Sequence, residues 1–304
     1  MNYRIVTDTC CNLSYTLVDE LGIELVPMSY SLDDKIFTMS HSAEFLSCSA
    51  QELENSRHEA FKHFYQAMRD GAQASTSMVD RVSLEKVFTK VLSAGEDILY
   101  ISFSSGLSGS FDNAITVGEE LLKQYPDRRI EYVDSLNASA GQGLLCYMAS
   151  KKRDEGLDLD ELRSWTESFK HLIASWFTVD NLQYLARGGR LSKSAAAAGS
   201  LLNIKPIMYV DKSGKLNLHT KIRSRKRAVI SLIRTFKELS IEGIHGNEVF
   251  IGHADCEEDA IHLAHILKNE CYLEGEPRIT YIDPVIGAHS GPGTLALFFP
   301  ARYR

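Results

Sequence analysis

Segments typical of strands and helices alternate through the first half of this 304-residue chain. The predicted strands are residues 4–8, 23–28, 98–102 and 129–135, and the predicted helices are residues 14–21, 43–69, 108–124 and 140–155. A helix that joins two strands as a crossover returns the chain to the edge where the first strand began, so the strands run parallel. The alternation therefore predicts an α/β fold with a parallel sheet.

The second half of the chain has a mixed pattern. A helical segment at 161–174 precedes two strands at 205–210 and 216–222, which the turn DKSG joins as a hairpin. Strand–helix units follow, and hairpins combined with crossovers predict a mixed sheet. The length suits two domains. We expect an N-terminal parallel α/β domain over residues 1–160 and a C-terminal mixed-sheet α/β domain over residues 161–304.

Composition argues against several classes of protein. The net charge of −7 and the pI of about 5.8 argue against general nucleic-acid binding, which favours basic domains. No apolar run approaches the ~18 residues of a membrane span, and the N-terminus lacks the pattern of a signal peptide. The six cysteines form no CxxC motif, which is typical of free thiols in a reducing compartment. We expect a cytoplasmic protein with no transmembrane segment and no nucleic-acid partner.

Hydroxyl side chains gather where the predicted strands end. The segments at strand ends are TDT at 7–9, SSGLSGS at 104–110 and DS at 134–135, and the predicted loop ASTS at 74–77 adds further hydroxyls. Ligands of open α/β sheets bind beyond the carboxyl ends of the strands. Hydroxyls beside the N–H groups of a helix start can bind an anion. The pattern predicts a site for a small anionic or polar head, and the alternative is ordinary helix capping by serine.

The segment PVIGAHSGPG at 284–293 predicts a shaped loop that holds His289. Its glycines permit unusual backbone geometry, and its second proline fixes its own φ. The apolar run TLALFF at 294–299 follows and predicts a buried strand. The alternative interpretation is a tight turn with an incidental histidine.

Familiar catalytic and metal-binding motifs are missing from the sequence. It has no P-loop, no G-x-G-x-x-G after a strand and no G-x-S-x-G. His253, Cys256, His262 and His265 do not complete a recognised zinc spacing, so we expect a solvated helix there and no metal site.

Six motifs, in order, resemble the DegV family of bacterial fatty-acid-binding proteins. They are VTDTCCNLS, STSM, SSGLSGS, DSLNASAGQGLL, YLARGGRLSKSAAAAGSLLNIKPI and GAHSGPG. The resemblance implies two α/β-type domains with a long-chain fatty acid bound between them. It implies a lipid-binding carrier rather than an enzyme, with no cofactor. The ligand-binding residues that it implies are Thr76, Ser104, Ser105, Arg190 and His289.

The resemblance also implies a partner, because in some members a fatty acid kinase phosphorylates the bound carboxylate. The run KIRSRKR at 221–227 places five basic residues in seven positions. We expect Arg223, Arg225 and Lys226 to dock that kinase, and transient membrane contact is compatible with such a carrier. The alternative interpretation of the run is a solvated helix start.

The sequence departs from the family pattern at two places, and two other functions compete with the carrier. Met78, Val79 and Asp80 replace the Gln-Pro-Ser of the family's TS loop, and the segment 38–69 looks longer than usual. One competing function is a serine hydrolase or acyltransferase with Ser105 or Ser108 as nucleophile and His289 as base. A third interpretation is a regulatory protein that senses lipid.

Overall fold

The computed structural model describes residues 2–39, 50–191 and 204–303. The strands are β1 (Tyr3–Asp8), β2 (Glu24–Val26), β3 (Met28–Leu32), β4 (Lys35–Met39), β5 (Ala74–Thr76), β6 (Asp97–Ser102), β7 (Ile130–Asp134), β8 (Ile173–Thr178), β9 (Ile204–Val210), β10 (Leu216–Arg223), β11 (Phe250–His253), β12 (Arg278–Tyr281) and β13 (Leu295–Pro300). The helices are α1 (Tyr15–Glu20), α2 (Ala50–Arg69), α3 (Arg81–Ser93), α4 (Ser110–Leu122), α5 (Ala140–Asp154), α6 (Leu159–Phe169), α7 (Gln183–Arg187), α8 (Arg225–Leu239), α9 (Glu257–Glu270) and α10 (Pro284–Ser290).

The first sheet is parallel and has the strand order β2-β1-β6-β7. Its central strand β6 carries Ile98, Leu99, Tyr100 and Ile101, all completely buried. A strand that is apolar on both faces suits a sheet covered by helices on both sides. The predicted parallel α/β architecture of the first half is therefore confirmed.

The second sheet is mixed and has the strand order β10-β9-β8-β13-β11-β12. Strands β11 and β12 pair in parallel, whereas the described pairings from β10 across to β11 are antiparallel. The predicted mixed sheet is confirmed. Helix α5 contacts strands of both sheets, and one hydrophobic cluster includes Tyr100 of the first sheet together with Phe177 and Phe298 of the second. The division into domains at residue 160 stays a prediction.

A third, three-stranded antiparallel sheet of order β4-β3-β5 was not predicted. The single strand expected at 23–28 is divided, because Pro27 lies between β2 and β3 and has no N–H for a ladder. The segment at 74–77 was expected to be a loop, but Ala74–Thr76 pairs with β3. This small sheet fixes the backbone of Thr76.

Two other elements differ from the sequence prediction. The prediction of a helix over 161–174 is wrong at its C-terminal end. Helix α6 stops at Phe169, and a short 3-10 turn leads into β8. Ile173 and Ala174 are completely buried in the sheet, where strand pairing overrides their helical spacing. Helix α3 was missed, although Asp80 caps it by accepting the Ser83 N–H at 2.9 Å. Of the helix expected over 43–69, residues 43–49 lie outside the described residues.

Within those described ranges, no helix combines the length and the apolar character needed to cross a membrane.

Candidate ligand-binding cavity

A cavity of about 100 Å³ lies between α10, strands of the second sheet and the segments that follow β1, β6 and β7 of the first sheet. Most of its wall is apolar and comes from both halves of the chain: Met28, Phe103, Leu107, Phe177, Leu185, Val210, Leu216, Ile282, Val285, Ile286, Ala296 and Phe298. Polar side chains line it as well: Thr76, Ser77, Ser108, Ser139, Arg190, His289, Ser290 and Thr294. An apolar cavity with a few convergent polar groups is the usual form of a small-molecule site.

Thr76 and His289 form the central polar pair of this cavity. Thr76 Oγ1 lies 2.7 Å from His289 Nε2, although 213 residues separate them in the sequence. Burial, followed by the positive charge of Arg190, lowers the pKa of His289 to about 4. The imidazole is therefore neutral near pH 7, with one ring nitrogen as donor and the other as acceptor.

His289 lies on a short helix, which corrects the predicted loop at 284–293. Asp283 begins α10 by accepting the N–H groups of Val285 at 2.6 Å and Ile286 at 3.0 Å, and Pro284 occupies the first turn. Proline is favoured there because the first N–H of a helix has no intrahelical partner. The loop prediction holds only beyond α10, where Gly291 and Gly293 adopt φ of 80° and 78°.

Glycine at position 188 lets α7 approach the histidine ring closely. A Cβ built on Gly188 would lie 2.1 Å from His289 Nδ1, far inside contact distance. Gly188 has φ of −72° and ψ of −7°, a conformation open to any residue. The glycine is therefore needed for the space occupied by His289 and not for its backbone.

A buried polar chain supports α10 from the other half of the molecule. Asn12 donates from Nδ2 to Asp283 Oδ2, and Ser139 Oγ donates to Asn12 Oδ1 at 2.6 Å. Burial raises the pKa of Asp283 to about 6. Ser139 lines the cavity with φ of 56°, an unusual value for a residue other than glycine. Sequence reasoning missed Asp283, although an Asp-Pro pair is a recognisable helix start.

Arg190 brings a positive charge to the cavity wall. Its Nε donates to the Leu107 carbonyl at 3.2 Å, and its Nη1 donates to the Gly188 carbonyl at 2.5 Å. These two bonds hold the guanidinium between α7 and the loop after β6.

In the serine loop, residues 104–110, the serine hydroxyls form hydrogen bonds to other atoms of the protein. Ser104 is completely buried and donates to the Gly214 carbonyl at 2.9 Å. Ser105 is exposed and donates to Asp134 Oδ2 at 2.5 Å. Ser108 lines the cavity, and its Oγ lies 2.9 Å from Ser110 Oγ. The structure thus brings Ser108 to the cavity together with Thr76, and leaves Ser104 and Ser105 outside the cavity wall.

Among the residues that the structure describes, no serine nucleophile is bonded to a base at the cavity. The Nε2 atom of His289 faces Thr76, and the hydroxyl of Ser105 is bonded to Asp134. A catalytic serine requires a hydrogen-bonded base that a third group orients. For the described residues, no hydrogen bond joins His289 to Ser105 or Ser108.

The basic run at 221–227 divides into structural and exposed cations. Arg225 is a structural residue: its Nε donates to Asp259 Oδ2 at 2.8 Å, and its Nη1 donates to the Gly293 carbonyl at 2.7 Å. Arg223 and Lys226 are exposed. Arg225 therefore fixes the segment after α10 and is not free for docking.

The metal-like residues of the sequence lie apart. His253 is buried on β11, whereas His262 and His265 are exposed on α9. Cys256 precedes α9, and its Sγ lies 3.2 Å from the Thr294 carbonyl oxygen. Across residues 2–39, 50–191 and 204–303, no group of three His, Cys, Asp or Glu side chains could hold a metal ion.

Comparison with known proteins agrees with this fold and its motifs. A family model described as "Uncharacterised protein, DegV family" matches residues 2–302. This chain belongs to the DegV family. A DegV domain-containing protein of Clostridium perfringens is 39% identical over 98% of this chain and 97% of its own length. A second, from Lactococcus lactis, is 31% identical over 99% of both chains.

Solved DegV structures share the fold at low sequence identity. A stearic acid-binding protein from Eubacterium ventriosum superimposes with a TM-score of 0.83 at 23% identity, covering 99% of each chain. A DegV family protein from Eubacterium eligens, loaded with heptadecanoic acid, has a TM-score of 0.81 at 18% identity and covers 99% of this chain and all of its own. These likenesses confirm the fold class, and they show that other members of the family bind fatty acids.

Proposed function

We propose that this protein binds a long-chain fatty acid in the cavity and presents its carboxylate to a partner fatty acid kinase for acyl-phosphate formation. The observation that carries the proposal is the Thr76–His289 pair in an otherwise apolar cavity. Fatty acids bound to other DegV structures support the same ligand class. The chain then acts as a carrier, and the kinase supplies the catalysis.

The head group is held by directed donors. We assign to neutral His289 the tautomer with its proton on Nε2, so that Nε2 donates to Thr76 Oγ1 and the threonine hydroxyl hydrogen is free for a carboxylate oxygen. Arg190 adds a positive charge at the same wall, and hydrogen bonds to a charged group are the stronger kind. Ser108 is the serine-loop hydroxyl placed to assist. The role of His289 is therefore to orient Thr76 and not to act as a base.

The acyl chain supplies most of the affinity. At about 0.8 kcal/mol per buried CH₂, some fourteen methylenes contribute roughly 11 kcal/mol before the cost of ordering the chain. The cavity volume of about 100 Å³ is smaller than the roughly 300–1,000 Å³ of typical ligand pockets. Binding a long chain must therefore widen the cavity, and side-chain rotation at flexible residues such as Met28 is one way to do so.

Native mass spectrometry of the purified protein tests the ligand directly. We expect an adduct with the mass of a fatty acid that denaturation removes, and an apolar extract that contains the free acid. Protein that stays empty after incubation with hexadecanoic and octadecenoic acids would refute the proposal. If the protein binds an alkane as well as it binds the fatty acid, the proposed carboxylate site is refuted, but the apolar site for the chain is not.

The kinase step is tested by charge reversal at the exposed cations of the basic run. The double variant Arg223→Glu/Lys226→Glu should slow acyl-phosphate formation at low salt and leave fatty-acid affinity intact, because exposed charge steers encounter. Arg234→Glu is the control, since Arg234 is an exposed cation of α8 outside the run. An unchanged rate in the double variant would show that the run is a solvated surface.

A further inference from the structure

Tyr65 of α2 lies directly behind the helix that carries His289. Its side chain is completely buried, and its Oη donates to the Ile282 carbonyl at 2.7 Å. Ile282 immediately precedes Asp283, the residue that begins α10. The hydrogen bond therefore fixes the start of that helix from a second element.

The tyrosine also touches the middle of α10. A Cβ built on Gly287 would lie 2.3 Å from Tyr65 Oη and 2.8 Å from its Cε1 and Cζ atoms. Gly287 is helical and buried, so the contact is a close approach of ring and backbone. The ring thus sets how far α10 can move away from the cavity.

The residues two positions before and after Gly287 face the ligand site. Val285 and His289 line the cavity, two residues to either side of Gly287. Residues two apart on a helix project about 200° from one another, so the Gly287 face and the His289 face are nearly opposite. A shift of α10 at Tyr65 is therefore transmitted to the 2.7 Å contact between His289 and Thr76.

Helix α2 is itself anchored to both halves of the protein. Arg57 donates to the Leu13 carbonyl at 3.2 Å, and Arg69 forms an ion pair with Asp255. Tyr65 lies between these two anchors, on a face that also buries Phe61 and Met68. A residue fixed in this way can act as a reference point for the position of a neighbouring helix.

We propose that Tyr65 is a positioning residue that fixes the distance between α10 and the cavity. Through Tyr65, α2 then determines how well His289 and Thr76 recognise a carboxylate. The inference deepens the proposed function and rests on it. It assigns a role in head-group recognition to part of the segment 38–69, whose expected greater length stays a prediction. Tyr65 itself does not line the cavity.

The primary test compares the affinities of hexadecanoic acid and its methyl ester. Tyr65→Phe keeps the ring and removes the hydrogen bond to Ile282. We expect the acid to bind about 5- to 10-fold more weakly and the ester to change less than about 2-fold, the scale of one buried hydrogen bond. Tyr100→Phe is the matched control, because Tyr100 is an equally buried tyrosine on β6 outside the cavity wall.

A second readout needs no ligand. Titration of the His289 ring by NMR should show its pKa rising from about 4 toward its ordinary 6.5 in Tyr65→Phe, because a displaced ring becomes more hydrated. Gly287→Ala should produce the same rise, because its new methyl group would meet the Tyr65 ring and displace α10.

The outcomes separate this inference from the proposed function. If wild-type protein binds no fatty acid, the proposed function fails whatever the His289 titration shows. If wild-type protein binds the acid but Tyr65→Phe leaves both the acid-to-ester ratio and the His289 pKa unchanged, the positioning role is refuted. Equal weakening of acid and ester with an unmoved His289 pKa also refutes it, because that result describes general loss of packing.

Discussion

The serine loop and the Thr76–His289 pair carry similar polar groups, yet their hydrogen bonds leave different atoms free. In the serine loop, the hydroxyl hydrogens of Ser104 and Ser105 are donated to Gly214 and Asp134. In the pair, one contact joins two side chains and the threonine retains bonding capacity toward the cavity. A cluster of hydroxyls in a sequence therefore indicates binding only if the fold leaves some of them without other partners.

The largest effect that this comparison predicts is at Thr76. Thr76→Val keeps the shape and removes the hydroxyl, and a lost hydrogen bond to a charged group costs about 1.5–3 kcal/mol. We expect isothermal titration to show a 10- to 100-fold weaker affinity for the fatty acid on this scale. The methyl ester should be far less affected. Equal loss for acid and ester would show that Thr76 only packs against the chain.

A smaller effect is expected from Gly188→Ala, which acts on the other member of the pair. The new methyl group would meet His289 Nδ1 at 2.1 Å and displace the ring from Thr76. Acid affinity should fall about 10-fold, the equivalent of about 1.4 kcal/mol.

The control for that change is Gly109→Ala, since a Cβ there meets only the Met78 sulfur at 3.5 Å. A Gly188→Ala protein with normal acid affinity would show that His289 is not needed to orient Thr76.

Ser105→Ala should have a still smaller effect on ligand binding. Because its hydroxyl is donated to Asp134 outside the cavity wall, acid affinity should stay within about 2-fold of wild type, below the effect of one net hydrogen bond. Ser108→Ala should weaken binding more than Ser105→Ala. A 10-fold loss at Ser105 would reverse the comparison and restore the serine loop as the head-group site. Turnover of a chromogenic ester that disappears in Ser105→Ala would instead favour a hydrolase.

The smallest expected effect is that of pH on acid affinity. The pKa of His289 is about 4, so the ring stays neutral as pH falls from 8 to 5.5 and no imidazolium forms to strengthen the site. Affinity should change less than about 2-fold across this range, the methyl ester serving as the reference. A rise in affinity as pH falls through about 6.5 would show that His289 binds the carboxylate as a cation.

Protein stability should depend on pH through buried groups of opposing effect, of which Asp8 and His289 are examples. The pKa of Asp8 is raised from 3.8 to about 6 by burial, so its folded state holds the proton more tightly and stability falls as pH rises through that interval. The pKa of His289 is lowered to about 4, so its contribution rises with pH between 4 and 6.5. Asp8→Asn should therefore make thermal stability rise more steeply from pH 4 to 6 than in wild type.

Much of the fold follows from local pattern. The strand predicted at 98–102 is β6, because an apolar run bounded by polar residues is typical of a buried parallel strand. Strand β8 was missed, since Ile173 and Ala174 continue the spacing of the preceding helix and only pairing with β13 makes them a strand. Helix α10 was missed because its proline and glycine were interpreted as loop residues, although Asp283 and Pro284 form a helix start.

The candidate site was predicted less completely. The resemblance to DegV proteins supplied Thr76, Arg190 and His289, which the fold brings to one cavity. The hydrogen-bond acceptors of Ser104 and Ser105 are Gly214, in a hairpin turn, and Asp134, in β7. Whether the two serine hydroxyls are bonded therefore depends on the tertiary structure. No local pattern distinguishes a hydroxyl that is already bonded from one that is free.

The separation of Thr76 and His289 in the sequence has a consequence for biosynthesis. The two residues are 213 positions apart. At about 5–20 residues per second, a ribosome adds His289 roughly 10–40 s after Thr76. A nascent chain cannot assemble the pair before α10 has emerged, so it meets the cell's lipids without the proposed head-group site until that segment has been made. Occupancy by a carboxylate ligand would thus report that both distant segments of the chain have been made and joined.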